Sequence, residues 1–210
     1  MIRPICIAVT VVLVGACASS PPMHYYTLTQ IAPETRLTAP SDTAPVQLNR
    51  VSIPGELDRV QLVRRLDATR LQIAEQERWA APLDEMIRRV LAADLAARLP
   101  PSLVVDPKES ASGERRQGLS VDIQEFYADT GCAVTLRATW VLAAPPSPGA
   151  QKGNSEGAPA TTQFSEETQV PGGTCAGAGA VPEAMSRALA GLSDRIAARI
   201  ANPATAARGP

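Results

Sequence analysis

Four cysteines and a single histidine are the most reactive side chains in this sequence of 210 residues, and their placement limits the chemistry open to them. Cys17 ends an apolar run, VLVGACASS at positions 12–20, and Arg3 is the only charged side chain before it. The run from Pro4 to Ala16 is too short for a membrane-spanning helix, which needs about 20 residues. It fits the apolar part of a secretory leader, about 7–15 residues long. Val14, Gly15 and Ala16 lead directly into the thiol, the branched-small-small-cysteine order of a bacterial lipobox. In that chemistry the sulfur accepts a diacylglycerol, residues 1–16 are cut away, and the new amino terminus is acylated. Each buried methylene contributes about 0.8 kcal/mol, so two or three chains on one cysteine make a lasting anchor. The alternative is a plain secreted protein whose Cys17 stands at the cut by chance.

Ala18 follows the cysteine where an inner-membrane retention signal would place aspartate, so the expected site is the periplasmic face of an outer membrane. Residues 17–23 then form an acylated tether and 24–201 the folded domain, with a flexible insertion at 145–159 and a frayed tail at 202–210. Net charge is −1, and loss of Arg3 with the leader makes it −2. So small a charge, with no lysine-rich run, argues against nucleic acid as a partner.

Cys6 leaves with the leader and Cys17 is consumed by lipid, which leaves Cys132 and Cys175 in a compartment where disulfides persist. Cys132 shares its parity with Val134, Leu136, Ala138, Trp140 and Leu142, so it should face the same side of a strand. Cys175 lies in the glycine-rich PGGTCAGAGA, which can approach it, and a Cys132–Cys175 bridge is expected. A redox or nucleophilic cysteine is the weaker reading: there is no C-x-x-C pair, and the one histidine, His24, lies seven residues from Cys17.

Other chemistry is sparse. The phosphate-binding loops, the G-x-S-x-G elbow and H-E-x-x-H do not occur. No cofactor, metal site or enzymatic activity is expected. Asp84–Glu85 and Glu166–Glu167 are adjacent in sequence, so their side chains diverge and read as solvated surface. Trp79, beside Arg78, has two readings. It is an anchor for a partner, since Trp and Arg are enriched at binding hot spots, or a plug where a strand turns into a helix.

The elements that position these residues follow from periodicity. Leu83, Met86, Ile87, Val90, Leu91, Leu95 and Leu99 predict one amphipathic helix, with Pro82 at its first position, Asp84 and Glu85 near its start and Arg98 near its end. Met185, Leu189, Leu192, Ile196 and Ile200 predict a second, begun near Pro182. YYTLT, VQLNRVSIP, SLVVD and TTQFSEETQV predict strands. In VQLNRVSIP, Val46, Leu48 and Ser52 are expected on one side, and Gln47, Asn49, Val51 and Ile53 on the other. VQLVRRL and RLQIAEQERW predict a hairpin around DAT, with a helix as the alternative for the first. LSVDIQEFY and CAVTLRATWVLAA predict a second hairpin. With only seven aromatic residues the core must be aliphatic. The expected fold is α+β: a two-layer sandwich of a mostly antiparallel sheet with two amphipathic helices packed on one face.

Taken in order, the lipobox, YYTL, VSIPGELDRVQLVRR and ERWAAPLDEMIRRVLAADLAARLP resemble the PqiC/YmbA family of ABC-transport auxiliary lipoproteins. The likeness runs from about residue 17 to 126 and more loosely to the last helix. The RW-A-x-P-L entry into a helix and the I-P-x-x-L-D-R segment are its most specific parts; the 145–159 insertion and the cysteine pair depart from it. The resemblance implies a non-enzymatic, outer-membrane-anchored accessory subunit of an intermembrane transport system. It also implies an MCE-domain partner that spans the envelope and a homo-oligomeric ring. The positions matching its motifs are Tyr25, Tyr26, Pro54, Leu57, Asp58, Arg59, Arg78, Trp79 and Pro82, fold-defining or partner-facing. The expected mechanism is tethering and docking; the alternative is a carrier that holds an acyl chain between helices and sheet.

Overall fold

The computed structural model describes residues 21–105, 116–143, 161–169 and 179–202. Its order is β1 (His24–Tyr26), β2 (Val46–Ser52), β3 (Gln61–Arg65), β4 (Leu71–Trp79), α1 (Leu83–Arg98), β5 (Val104–Val105), β6 (Gln117–Ala128), β7 (Ala133–Ala143), β8 (Thr161–Gln169) and α2 (Ala180–Ala201), with a 3-10 turn at Pro101–Leu103 ahead of β5.

Both helices form where the apolar spacing places them. Every residue of the predicted α1 stripe is buried, as is every residue of the α2 stripe. Pro82 caps α1 with extended backbone rather than occupying its first turn. Its missing N–H costs nothing at this position, because the first N–H groups of a helix lack intrahelical partners. Asp84 and Glu85 sit in the first turn, where carboxylates favour the positive end of the helix dipole.

The eight strands form one mixed sheet. Its main path is β1-β4-β3-β6-β2-β5, and β7 and then β8 continue it from the other side of β6. The mostly antiparallel expectation is corrected here: four of the seven strand pairings (β1–β4, β2–β5, β2–β6, β3–β6) are parallel. The predicted hairpins β3–β4 and β6–β7 are antiparallel, as is β7–β8. Parallel pairs need a long crossover. α1 lies within the chain that joins β2 to its parallel neighbour β6.

Three strand details differ from simple alternation. YYTLT shortens to His24–Tyr26, because β1 finds partners only at Glu77–Trp79. In β2 the register against β6 shifts between Leu48 and Arg50, so Val51 is buried with Val46 and Leu48 instead of facing away. An inserted residue of this kind reverses the facing of everything beyond it. A similar shift between Ile123 and Glu125 of β6 returns Phe126 and Ala128 to the core.

α1 and α2 pack on each other; α2 also packs on β6, β7 and β8, and α1 on β2. The buried cluster between them is aliphatic: Met86, Ile87, Leu91 and Leu95 of α1, Met185, Leu189, Leu192 and Ile196 of α2, and Leu119, Ile123, Leu136 and Ala138 of the sheet. Burying each of the larger side chains contributes about 1.5–3 kcal/mol.

Candidate functional site

The motif residues converge where β1, the end of β4, the loop before β3 and the start of α1 meet. β1 lies parallel to β4 with Tyr25 opposite Arg78 and Tyr26 opposite Trp79. The Trp79 N–H donates to the Val60 carbonyl at 2.7 Å and the Ala80 N–H to the Tyr26 carbonyl at 2.8 Å, so three segments are tied just ahead of the helix start at Leu83. In the I-P-G-E-L-D-R loop, the Leu57 N–H donates to Pro54 at 2.9 Å and the Asp58 N–H to Gly55 at 3.2 Å. These bonds turn the chain so that Leu57 points inward.

Burial separates the set. Trp79 is 4% exposed and Leu57 3%, so both are core residues, and Trp79 fills the strand-to-helix junction. Tyr26, Pro54 and Arg78 are half-buried; Asp58, Arg59 and Pro82 are exposed. Tyr25 is 64% exposed, a large apolar ring left to solvent.

The neighbouring charges are paired rather than poised. Glu125 meets Arg137 at 2.9 Å and Arg65 at 3.5 Å, and Arg64 meets Glu77 at 3.1 Å. The Arg65 guanidinium stands 4.6 Å from the centre of the Tyr127 ring. The Tyr127 hydroxyl donates to Glu56 at 2.8 Å. Burial first, and the Glu56 carboxylate second, push the Tyr127 hydroxyl far above its ordinary value. Glu56 is held below the usual carboxylate range by its own backbone N–H and by that tyrosine. Burial, then Glu77, raises Tyr26.

Sequence reasoning missed a buried ionic cluster on the helices. Asp94 and Arg98 are spaced by four residues inside the apolar arc of α1, and both are buried. Arg98 pairs with Asp94 at 3.4 Å and, through Nε, with Asp194 of α2; it also donates to the Ile31 carbonyl at 3.1 Å. Asp94 accepts the Ile31 N–H at 3.0 Å. The segment after β1 is therefore strapped across the helix pair. The Thr29 N–H to Ser186 (3.1 Å), the Gln30 side chain to Ala93 (3.0 Å) and the Leu37 N–H to Arg98 (2.7 Å) add further ties. Burial outweighs the adjacent guanidinium and raises the Asp94 carboxyl. Two polar residues at stripe positions of a helix are the signal that was available.

Cys132 is fully buried, but it sits just before β7 in the β6–β7 turn, in left-handed backbone with φ 62°. The Asp129 carboxylate fastens that turn by accepting the Gly131 and Ala133 N–H groups. Cys17, Cys175, the leader and the 145–159 insertion lie outside the described residues. Among the described residues no helix is long and apolar enough to cross a membrane, and no group of three or more His, Cys, Asp or Glu gathers as a metal site would. Asp84 and Glu85 lie in the first turn of α1; Glu166 and Glu167 lie on β8.

Residues 26–197 match the model of a family described as ABC-type transport auxiliary lipoprotein component. Two curated relatives, the intermembrane transport lipoproteins PqiC of Escherichia coli (strain K12) and of Shigella flexneri, are each 26% identical over 130 residues, 62% of this chain and 68% of theirs. A crystal structure of an uncharacterised protein superposes with a TM-score of 0.63 at 22% identity, covering 85% of this chain and 99% of that one. A Xanthomonas campestris protein superposes with a TM-score of 0.59 at 15% identity, covering 88% and 99%. These two likenesses establish the fold.

Proposed function

The chain belongs to the ABC-type transport auxiliary lipoprotein family, the PqiC/YmbA family, and from that premise we propose that it is an outer-membrane-anchored periplasmic accessory subunit of an intermembrane transport system. It acts by tethering and docking, with no bond made or broken. Cys17 carries the acyl chains once residues 1–16 are removed, residues 17–23 are the tether, and 24–201 is the docking domain with its insertion at 145–159 and a tail from 202. The partner is an MCE-domain protein that spans the envelope, and copies of this chain assemble around or at the end of it as a ring.

The observation that carries this reading is the family match, which starts at Tyr26, nine residues after Cys17. An extended chain reaches at most about 3.3–3.6 Å per residue. The seven residues from Cys17 to His24 therefore hold the domain within about 25 Å of the lipid surface. On the domain, exposed Tyr25, Asp58, Arg59 and Pro82 are the partner-facing members of the motif set, and buried Leu57 and Trp79 shape the junction that presents them. The acyl-carrier alternative needs space between helices and sheet; that layer is filled by the leucines, isoleucines and methionines named above.

The Cys132–Cys175 bridge is part of the proposal. β8 ends at Gln169, paired with Ala133, so the chain leaves the sheet beside Cys132 and reaches Cys175 six residues later. In the chain-entropy model, closing the loop of about 40 residues between Cys132 and Cys175 stabilises the fold by about 4 kcal/mol.

Expression of the full chain as Cys17→Ala tests the anchor. The expected result is a folded protein released from membranes, whereas the native chain stays bound through a high-salt wash. If the variant remains with washed membranes, or the native chain has an unmodified mass at its mature terminus, the reading fails.

A further inference from the structure

β4 is nine residues long, yet only part of it has neighbours on both sides. β3 pairs along Leu71–Ala74 and again at Arg78, whereas β1 covers the opposite edge only at Glu77–Trp79. Among the described residues, Leu71–Gln76 therefore present an open edge. The direction of its backbone groups follows from the turn. The Leu66 N–H donates to the Arg70 carbonyl, which makes 66 and 70 a hydrogen-bonded pair. Antiparallel ladders alternate such pairs. Gln72 and Ala74 then bond to β3, and the N–H and C=O groups of Leu71 and Ile73 point out from the edge.

The side chains on this edge are apolar and exposed. Leu71 and Ile73 are each 40% exposed and, two residues apart, share one face. Across β3 they continue a row with Arg65 and buried Val63, their register partners. Natural sheets blunt free edges with charge, proline or a bulge. From Leu71 to Ala74 this edge has none of these against solvent.

The pattern is symmetric about Gln72, and we infer that this edge joins two copies of the chain as an antiparallel strand pair with its two-fold axis at Gln72. In that register Leu71 faces Ile73 of the second copy and Ile73 faces its Leu71. The outward backbone groups of the same residues close the new ladder. Val63 and Ile73 of one copy and Leu71 of the other then form an apolar row, and the symmetry repeats it. No like charges are set opposite each other: Arg70 faces Ala74 and Glu75 faces Thr69. An isologous contact of this kind closes on itself, so it is distinct from ring assembly and does not rest on the functional reading above.

The edge is short compared with the roughly 800 Å² per partner of a standard stable interface, so a covalent trap is the suitable assay. Gln72 would form a non-hydrogen-bonded pair with its counterpart, with Cα atoms about 4.5 Å apart, inside the span a disulfide bridges. Gln72→Cys in the full chain, oxidised mildly in native membranes, should give a linked dimer above the background of the unmodified chain. Gln76→Cys, four residues from the axis and so about 27 Å from its counterpart, should not. Adding Leu71→Lys to Gln72→Cys should lower the linked fraction at least tenfold while circular dichroism stays unchanged. Position 72 failing to link, positions 72 and 76 linking equally, Leu71→Lys leaving the yield intact, or position 72 capturing a different protein would each overturn the inference.

Discussion

Replacing Arg98 by methionine isolates the energetics of the strap. Its side chain is 3% exposed, and it compensates Asp94, which is completely buried, while satisfying the Ile31 carbonyl. Methionine fills much of the same volume, so the loss is electrostatic rather than a cavity. Removing one partner of a buried ion pair costs about 3–5 kcal/mol, because the other charge is left uncompensated. Asp194 contributes less of this: its carboxylate is 59% exposed, so water screens it and solvates it when Arg98 is gone. For a domain of this size one kcal/mol moves Tm by about 2–4 °C, so Arg98→Met should lower Tm by about 6–20 °C. Urea titration should show a lower midpoint at unchanged slope. Adding Asp94→Asn removes the stranded charge and keeps an oxygen to accept the Ile31 N–H. The double variant should therefore recover at least half of the loss. A single-variant cost below about 1 kcal/mol, or no recovery in the double variant, would show that Asp94 and Arg98 are not energetically coupled.

Asp94 also sets a pH dependence. Burial raises its carboxyl above the ordinary 3.8, so the folded chain binds that proton more readily than the unfolded chain. Its contribution is full below 3.8 and is lost as pH rises through the raised value. Relative to Asp94→Asn, the native chain should therefore lose Tm as pH rises above the ordinary carboxylate value of 3.8; a difference that stays flat as pH rises from there refutes the assignment. Trp79→Ala should cost about 3–5 kcal/mol in chemical denaturation by opening a cavity at the junction, whereas Tyr25→Ala, at a site 64% exposed, should stay within about 0.5 kcal/mol.

What was legible in the sequence depended on the range of the interaction. α1 and α2 could be read because their burial repeats every three or four residues. The β6–β7 hairpin could be read because its partners are neighbours. The parallel pairing of β2 with β6 could not, since it joins segments about seventy residues apart and leaves no local pattern. Val51 was placed on the wrong side for a related reason. The shift at Asn49 is set by the register of β6, which alternation within β2 does not contain. Trp79 remained divided between anchor and plug until β1 was seen to close over the end of β4. Asp94 and Arg98 were visible as a four-residue spacing, but their importance came from Ile31, which each of them bonds and which lies outside the helix.

The same cluster bears on how a tethered domain carries load. On the proposed anchoring at Cys17, tension enters the fold at His24. β1 alone offers three residue pairs to β4, few enough to peel. The chain beyond it is not free, because Thr29, Ile31 and Leu37 are hydrogen-bonded to α1 and α2. A pull that frees β1 therefore meets the strap next, and the strap is fastened to both helices of the core. Arg98→Met removes one tie of that second stop, the bond to the Ile31 carbonyl, while leaving the β1–β4 pairs in place. Under force applied at residue 24, the native domain should yield in two separated steps, and the variant should show the second step at lower force. A single step in the native domain would mean that the strap bears no load.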